Sequence, residues 1–146
     1  MLAGQPLLTN NFVRWLNFPL IRNHHWWHEN VVLLGDALHT AHFSIGSGTK
    51  LALEDAIALA RCFAEHASVS TALPAFEHVR KPVVESLQDA AFASLVALEN
   101  IEDDWALAPL PFAYKMMTRS GRLTHDKLKR RDPEFAAAYE RWLVNE

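Results

Sequence analysis

The stretch GDALHTAHFSIGSGTK, from Gly35 to Lys50, decides the fold of this chain. It follows directly on VVLL at positions 31–34, a short apolar run of the kind expected for a strand that is covered on both faces. A helical pattern begins on its far side, so a helix is predicted to open near Gly48. The carboxylate of Asp36 therefore stands at the end of a predicted strand, ahead of a loop of small residues and a helix start.

This arrangement suits a polar ligand. In open α/β sheets ligands bind at the carboxyl ends of the strands, and a carboxylate accepts hydrogen bonds from hydroxyls such as those of a ribose or ribityl chain. Gly46 and Gly48 let the backbone approach a flat molecule, and the amides of the first helical turn favour an electron-rich oxygen. The residues thus predict a flavin cradle. The alternative is an ordinary strand–loop–helix turn with an Asp cap.

Composition narrows the class of protein. The chain has 146 residues, of which half are apolar, and a net charge of −3, so it is one domain or a piece of a larger one. These values exclude a disordered or broadly nucleic-acid-binding protein. The single cysteine, Cys62, is expected to pack in a core and is typical of a reducing cytoplasm. Because no apolar run approaches the roughly 20 residues of a membrane span, we expect a cytoplasmic protein without a membrane partner.

The sequence divides near the helix start. Residues 1–48 are predicted as a strand–loop–strand segment that ends in the motif described above, and 49–146 as a helical region, together forming one structural unit. A first strand is predicted over 12–21, where Pro19 makes it an edge strand or ends it early. The polar and aromatic residues 23–30 are predicted as a connecting loop.

The helical region begins with residues 49–67, which are apolar nearly all round and therefore predict a buried helix. A long amphipathic helix follows, and Pro82 is expected to kink it or split it near Lys81. Its predicted apolar stripe comprises Phe76, Val79, Val83, Leu87, Ala91, Leu95 and Leu98.

Two further helices are predicted towards the end of the chain. One covers about 112–119 and is ended by Gly121. The other has a clear start signal, with Asp132 as N-cap and Pro133 at the first helical position, and is predicted to run to about Leu143.

At this point the residues show a family resemblance. VVLLGDALHTAHFSIGSGTKLALEDAIALA, residues 31–60, resembles the second flavin-binding motif of the flavin-dependent aromatic-ring monooxygenases, the class of para-hydroxybenzoate hydroxylase. Its part from position 39 onward is similar to the salicylyl-CoA and anthraniloyl-CoA hydroxylase branch. The flanking stretches NFPLIRNHHWWHENVVLLGDA and TRSGRLTHDKLKRRDPEF are similar to that branch as well, so the likeness spans nearly the whole chain.

The resemblance implies a fold and a reaction. It implies a mainly α chain with a few short strands, the C-terminal portion of an α/β FAD-binding monooxygenase fold. The N-terminal dinucleotide-binding βαβ unit is expected to be missing, because glycines at 4, 35, 46, 48 and 121 form no GxGxxG. The implied cofactor is FAD with NAD(P)H as co-substrate, and the implied substrate is a small aromatic acid carried as a coenzyme A thioester. No residue of this chain is expected to act as a catalytic acid or base.

The resemblance also implies residue roles. Asp36 would bind the ribityl hydroxyls, the start of the helix would offer its amides to the pyrimidine side of the flavin, and the preceding loop would line the ring where oxygen reacts. His39 is expected to support the loop. The implied FAD-contacting residues are Gly35, Asp36, His42, Phe43, Ser44, Gly46, Gly48, Thr49 and Lys50. His42 and Phe43 stand where many relatives have two prolines.

Residues 115–131 form a basic segment in an acidic chain. Its simplest interpretation is a solvated, mixed-charge helix face. The alternative is that it binds the phosphates of coenzyme A, because guanidinium groups grip phosphate well. The candidate phosphate ligands are Arg119, Arg122, Lys129 and Arg130. Nucleic acid is disfavoured as a partner by the overall acidity of the chain.

Two alternatives concern the whole chain. The histidines at 24, 25, 28, 39 and 42 lack an accompanying cysteine or carboxylate cluster, so no metal site is predicted. The rival to the monooxygenase hypothesis is an inactive helical fragment with half a flavin site. Such a fragment would expose apolar surface and is therefore expected to form a homo-oligomer.

Overall fold

The computed structural model describes residues 17–145. Within this range two short antiparallel strands, β1 (Trp27–His28) and β2 (Val31–Val32), precede the helices. The helices are α1 (Gly48–Glu65), α2 (Val69–Glu99), α3 (Pro109–Thr118), α4 (His125–Arg131) and α5 (Pro133–Val144). Single 3-10 turns cover Gly35–Ala37, Phe43–Ile45 and Ile101–Asp104. The predicted mainly helical chain with short strands is confirmed, whereas the division into 1–48 and 49–146 stays a prediction.

The strand predictions need correction. The region 23–30 is not merely a loop, because it contains β1 and the buried side chain of Trp26. The strand at VVLL covers only Val31–Val32, and Val31 is 62% exposed, so the prediction of two covered faces is wrong. Val31 lies on a face of β2 that no described segment covers, and β1 is the one strand paired with β2 in the described range.

The strand predicted over 12–21 lies partly outside the described residues, which begin at 17. The described remainder, 17–21, is not a strand. Its first pairing is the isolated bridge between Arg22 and His39. Thr40 holds the segment twice, because its amide donates to the Ile21 carbonyl at 3.2 Å and its hydroxyl donates to the Pro19 carbonyl at 2.7 Å.

Helix α1 begins where the sequence predicts, at Gly48, but it is not buried all round. Its inner face carries Leu51, Asp55 and Cys62, whereas Leu53 is 61% and Ile57 52% exposed. The inner face packs chiefly against α2 and the turn Gly35–Ala37. The apolar outer face has no such cover among the described residues, and apolar composition alone overstated the burial of this helix.

Helix α2 runs without interruption through Pro82, so the predicted split near Lys81 is wrong. The Pro82 ring is exposed, where the missing backbone donor is tolerated more readily than in a core. The predicted apolar stripe is confirmed at Phe76, Leu87 and Ala91, which are buried.

The prediction that Val79 and Val83 belong to the buried stripe is wrong, because both are exposed. The buried face passes through Arg80 and Val84 instead. The inner face of α2 also carries polar residues that bond other segments, including Gln88, whose amide donates to the Ile21 and Thr40 carbonyls at 2.8 and 2.7 Å. Counting only apolar residues therefore shifted the predicted face.

The helices after α2 agree better with the sequence. Helix α3 starts earlier than predicted, at Pro109, and Gly121 beyond it adopts a left-handed φ of 71° while donating to the Thr118 carbonyl at 2.8 Å. The N-cap of α5 is confirmed, because Asp132 Oδ1 accepts the Phe135 amide at 3.0 Å. Helix α4 was not predicted. It begins at an N-cap of its own, Thr124.

The main core lies between β1, α1 and α2. It is built from Trp26, Leu38, Leu51, Cys62, Ala72, Phe76, Val84 and Leu87. The rings of Trp26 and Phe76 are 5.6 Å apart at its centre. The predicted core position of Cys62 is confirmed, and burial raises the pKa of its thiol, which makes it unreactive. Across residues 17–145, the structure contains no helix with the length and apolarity that crossing a membrane requires.

We predict that Phe76→Ala lowers the free energy of unfolding by about 3–5 kcal/mol, because it leaves a cavity beside Trp26. Denaturant unfolding followed by tryptophan fluorescence measures this loss. Val79→Ala on the same helix is the matched control, since Val79 is 57% exposed and its truncation is expected to have a small effect. Equal losses in the two variants would contradict the assignment of the core.

Candidate functional site

Two parts of the GDALHTAHFSIGSGTK stretch meet at one cavity. Asp36 lies in the 3-10 turn after β2, and Gly48 lies at the first position of α1, twelve residues later. Both line a cavity of about 250 Å³. The other lining residues are Phe18, Pro19, Leu20, His39, Thr40, Ala41, His42, Phe43, Phe92 and Leu95. The cavity thus combines an acidic group and a helix N-terminus with largely apolar walls.

Asp36 supplies the acidic group. Its side chain is exposed, and in residues 17–145 its carboxylate takes part in no hydrogen bond or ion pair. The preceding Gly35 has a φ of 60°, a left-handed conformation that glycine adopts without strain, and it is followed by the tight turn that presents Asp36 to the cavity. The carboxylate is therefore available as an acceptor for hydroxyl groups.

The N-terminus of α1 supplies hydrogen-bond donors. Its first intrahelical bond runs from the Leu51 amide to the Ser47 carbonyl at 3.0 Å, so the amides of residues 48–50 precede it. Ser47 does not cap the helix, because its hydroxyl donates to the Ile45 carbonyl instead. These amides carry the partial positive charge of a helix start. The Lys50 side chain itself turns away to Glu54, at 2.9 Å.

The residues 42–47 between these two groups form a compact loop, which we call loop 42–47. His42 Nδ1 accepts the Ser44 amide at 3.3 Å, and the Phe43 ring meets Phe18 edge-on at 5.5 Å. Gly46 ends the turn with a φ of 62°, which explains a glycine at that position. Gly48 has no such backbone constraint, and no atom lies within 4 Å of the place where its Cβ would stand. The space beside the helix start is open.

The structure therefore brings together four of the nine predicted FAD residues around the cavity: Asp36, His42, Phe43 and Gly48. The remaining five, Gly35, Ser44, Gly46, Thr49 and Lys50, lie next to them in the chain without lining the cavity. The apolar wall residues Phe92 and Leu95 of α2 were missed as site residues. Leu95 was predicted only as part of the helical stripe. No local sequence pattern links it to cavity residues such as Phe43 and Gly48, which lie far earlier in the chain.

Comparison with known proteins identifies the family. Residues 20–91 match the family described as FAD binding domain. The chain is 44% identical over 144 residues to a salicyloyl-CoA 5-hydroxylase of Streptomyces sp, an alignment that covers 97% of this chain and 27% of the relative. It is 51% identical over 113 residues to a 3-hydroxy-4-methyl-anthranilyl-(aryl-carrier protein) 5-monooxygenase of Streptosporangium sibiricum, covering 72% of this chain and 32% of the relative.

A third relative, a protodeoxyviolaceinate monooxygenase of Chromobacterium violaceum, is 32% identical over 118 residues, covering 81% of this chain and 32% of the relative. The chain belongs to the flavin-dependent aromatic-ring monooxygenases. The resemblance described under sequence analysis is thereby confirmed, and the match to the FAD binding domain includes Asp36, loop 42–47 and the start of α1. The chain spans between about a quarter and a third of the length of these three relatives.

A buried ionic network supports the candidate site. His39 Nε2 lies 2.5 Å from Asp55 Oδ2, and Arg80 Nε donates to Asp55 Oδ1 at 2.7 Å. Asp55 is completely buried, and the other two residues nearly so. The network ties the segment after β2 to both α1 and α2, which is the supporting role predicted for His39. Asp55 and Arg80 were missed, although a charged residue within a predicted buried helix is itself a signal of a buried partner.

Glu54 extends the network to the helix start. It accepts from Lys50 at 2.9 Å and from Arg80 at 3.3 Å. The hydrogen bond from Lys50 holds the pKa of Glu54 below its ordinary value, against the opposing effect of burial and with a further lowering by Arg80. At neutral pH the negative charge of Glu54 is thus compensated by the positive charges of Lys50 and Arg80.

The basic segment of the chain is partly engaged in protein contacts. Arg119 donates to Ser94, Met116 and Ser44, and Lys129 pairs with Glu140 at 2.7 Å. That hydrogen bond raises the pKa of Lys129, and the bonds from Lys129 and then His125 lower the pKa of Glu140. Arg122 lines an open groove with Lys127. The coenzyme A contacts of Arg119, Arg122, Lys129 and Arg130 stay a prediction.

The described part of the chain contains no candidate metal site. Among residues 17–145 no three histidine, cysteine, aspartate or glutamate side chains are grouped as a metal site would require. His39, the histidine most deeply buried beside the cavity, uses its Nε2 in the bond to Asp55. The cavity chemistry is therefore that of a carboxylate, backbone amides and apolar walls.

We predict that Asp55→Asn lowers the free energy of unfolding by about 3–5 kcal/mol, because it removes the buried carboxylate nearest to the Arg80 guanidinium and leaves only the partly exposed Glu54, at 3.3 Å, as its counter-charge. Chemical denaturation of the purified protein measures the loss. Asp89→Asn is the matched control. Asp89 also pairs with an arginine, Arg22, at 2.7 Å, but both are exposed, so about 1 kcal/mol or less is expected. If Asp55→Asn lowered the free energy of unfolding no more than Asp89→Asn does, the buried network would not stabilise the fold around the site.

Proposed function

We propose that this chain forms part of the FAD site of an aromatic-ring monooxygenase. In this proposal Asp36 binds the ribityl hydroxyls, and the amides at the start of α1 face the pyrimidine side of the isoalloxazine. The single observation that carries the proposal is that Asp36 and Gly48 line the same cavity. Three features fit the group: an acceptor without a protein partner in the described range, uncapped helix-start donors, and open space beside Gly48.

The size of the cavity supports a partial site. Complete ligand pockets usually measure about 300–1,000 Å³. The cavity here, at about 250 Å³, accommodates only a portion of a dinucleotide. We therefore propose that the chain is the C-terminal portion of an α/β FAD-binding fold, and that the rest of FAD is bound by parts of the enzyme that correspond to the remaining length of its relatives.

When bound, FAD reduced by NAD(P)H would supply the reaction with O2 that hydroxylates the aromatic ring. The residues of this chain would bind and orient the cofactor. Asp36 would fix the sugar chain, and the partial positive charge of the α1 N-terminus would stabilise negative charge on the pyrimidine side. The apolar side chains of Phe18, Phe92 and Leu95 would exclude water from the cavity. No residue of the chain needs to act as an acid or base in this scheme.

We predict that Asp36→Ala weakens FAD binding about tenfold or more, because a hydrogen bond to a charged group contributes about 1.5–3 kcal/mol. Titration of the purified protein with FAD, followed by flavin fluorescence, measures the dissociation constant. Asp126→Ala is the control, since Asp126 is an acidic residue of α4 that does not line the cavity. Absence of FAD binding by the unsubstituted protein, or equal affinity of the two variants, would refute the proposed site.

The proposed substrate is a small aromatic acyl group carried as a coenzyme A thioester. Two relatives are named for aromatic acyl groups on coenzyme A or on a carrier protein. In this chain Arg122 lines an open groove, and within the described residues neither Arg122 nor Arg130 forms an ion pair with a carboxylate. We propose that these two residues bind the phosphates of coenzyme A.

We predict that Arg122→Ala weakens the binding of free coenzyme A, measured by calorimetry, and that added salt reduces the difference between variant and unsubstituted protein. Arg141→Ala is the control, because Arg141 lies on α5, outside that groove. Unchanged affinity after Arg122→Ala would remove the phosphate assignment and would leave the FAD proposal intact.

The second candidate is an inactive fragment that self-associates without FAD. It is favoured by the outer face of α1, where Leu53, Ile57 and Phe63 are exposed. We propose that a second copy covers this face when the chain is alone, and that other parts of the enzyme cover it otherwise. Sedimentation of the isolated chain measures its oligomeric state, and Ile57→Lys is expected to shift it towards the monomer. A chain that is already a monomer, or a dimer that the substitution leaves unchanged, would contradict association through α1.

We also propose the cytoplasm as the compartment of the enzyme. The reduced state expected for the buried Cys62 and the use of NAD(P)H both fit a reducing environment. Fractionation of cells that produce the protein tests this, and recovery outside the cytoplasmic fraction would contradict it.

A further inference from the structure

Arg119 joins three parts of the chain. It lies directly after the last residue of α3, and its guanidinium donates three hydrogen bonds. Nε donates to the Ser94 hydroxyl on α2 at 2.9 Å, and Nη1 to the Met116 carbonyl in α3 at 2.5 Å. Nη2 donates to the Ser44 carbonyl in loop 42–47 at 3.1 Å, across 75 positions of sequence. One side chain thus connects the C-terminal helices to the loop beside the cavity.

The other hydrogen bonds of loop 42–47 are local. They join the Ser44 amide to His42, the Gly46 amide to the Phe43 carbonyl, the Ser47 hydroxyl to the Ile45 carbonyl, and the Leu51 amide of α1 to the Ser47 carbonyl. Such bonds determine the shape of the loop and its junction with α1, whereas its place on α2 depends on the packing of the turn Phe43–Ile45 against that helix and on the bond from Arg119. In the described part of the chain, the bond from Arg119 is the only hydrogen bond between loop 42–47 and a distant segment.

The Ser44 hydroxyl supports the same interpretation. It is buried and has no hydrogen-bond partner in residues 17–145. Leaving a hydroxyl in that state is unfavourable. The loop therefore does not adopt this position to satisfy its own polar groups. The bond that Arg119 makes to the carbonyl of the same residue supplies a favourable contribution at that point.

The residue type at 119 suits this task. A guanidinium presents N–H groups in a fixed planar fork, so it can reach acceptors on three sides at once, whereas an ammonium group is a compact point charge. Its acceptor on α2, Ser94, is fully buried, which gives the fork a rigid attachment point. Arg119 thus adds a hydrogen-bonded link between loop 42–47 and α2, on which the turn Phe43–Ile45 also packs directly.

We infer that Arg119 is a positioning residue, which holds loop 42–47 in the place where His42 and Phe43 line the cavity and α1 points its N-terminus at it. The consequence for the flavin rests on the proposed function. This role differs from the coenzyme A contact predicted for Arg119 from the sequence. It acts through the loop and requires no contact between Arg119 and the cofactor.

Hydrogen–deuterium exchange of the purified protein tests the inference without a ligand. Arg119→Met removes the three donors at similar length, and Arg119→Lys keeps the charge but not the fork. In both variants the hydrogen-bonded amides of this region, those of Ser44, Gly46 and Leu51, are expected to exchange about tenfold faster or more, because the loop opens locally, while those in the centres of α2 and α5 keep their rates. Arg141→Met is the matched control and is expected to change neither region.

The same variants are then titrated with FAD. Weaker binding and an altered visible absorption spectrum of the flavin are expected for Arg119→Met, since His42 and Phe43 would no longer be held beside the ring. If the unsubstituted protein binds no FAD, the proposed function fails, and the exchange rates alone decide whether Arg119 positions the loop.

Two results would overturn the inference, and a third would overturn its consequence for the flavin. Unchanged exchange in residues 42–51 would show that the loop does not depend on Arg119. Faster exchange throughout α2 and α5 would make Arg119 a general stabiliser of the fold. A loosened loop with unchanged FAD affinity and spectrum would show that its position does not matter to the flavin.

Discussion

The structure depends on the buried carboxylate of Asp55. A buried charge without partners is strongly unfavourable, so the chain must place a donor on each side of it. His39 and Arg80 supply these donors at 2.5 and 2.7 Å. Because one belongs to the segment after β2 and the other to α2, satisfying Asp55 determines how both lie against α1. The cavity between Asp36 and Gly48 is a consequence of that arrangement.

Loop 42–47 is attached from two directions. On its N-terminal side the chain is held by His39 and by Thr40, whose carbonyl accepts from the buried Gln88. On the other side Arg119 connects the loop to the end of α3 and to Ser94. The bonds of Thr40 and Arg119 end directly on α2, and that of His39 reaches it through Asp55 and Arg80, so α2 is connected to both halves of the site. The position of the polar residues along α2 is therefore as important to the site as its apolar core residues.

The polar groups of the site are exposed to solvent. Asp36 and the first residues of α1 are exposed, and the outer face of α1 is apolar. A partial site would present such a combination: a carboxylate, free amides and an uncovered apolar helix face next to one another. This agrees with a chain that spans between about a quarter and a third of its three relatives. The exposed polar groups of the site and the short extent of the family match both fit a partial site.

The features that the sequence by itself determined are those encoded within a few residues. The N-cap at Asp132 with Pro133, the left-handed Gly121, the helix start at Gly48 and the flavin motif all depend on local backbone chemistry, and the first three are observed. Tertiary structure decided the rest. The buried face of α2 passes through Val84 and not Val83, and the run VVLL contains a strand of only two residues, Val31–Val32, with Val31 exposed. Partners distant in sequence decide which side of a helix or strand is covered, and no local pattern records where a bond such as that from Arg119 to Ser44 will form.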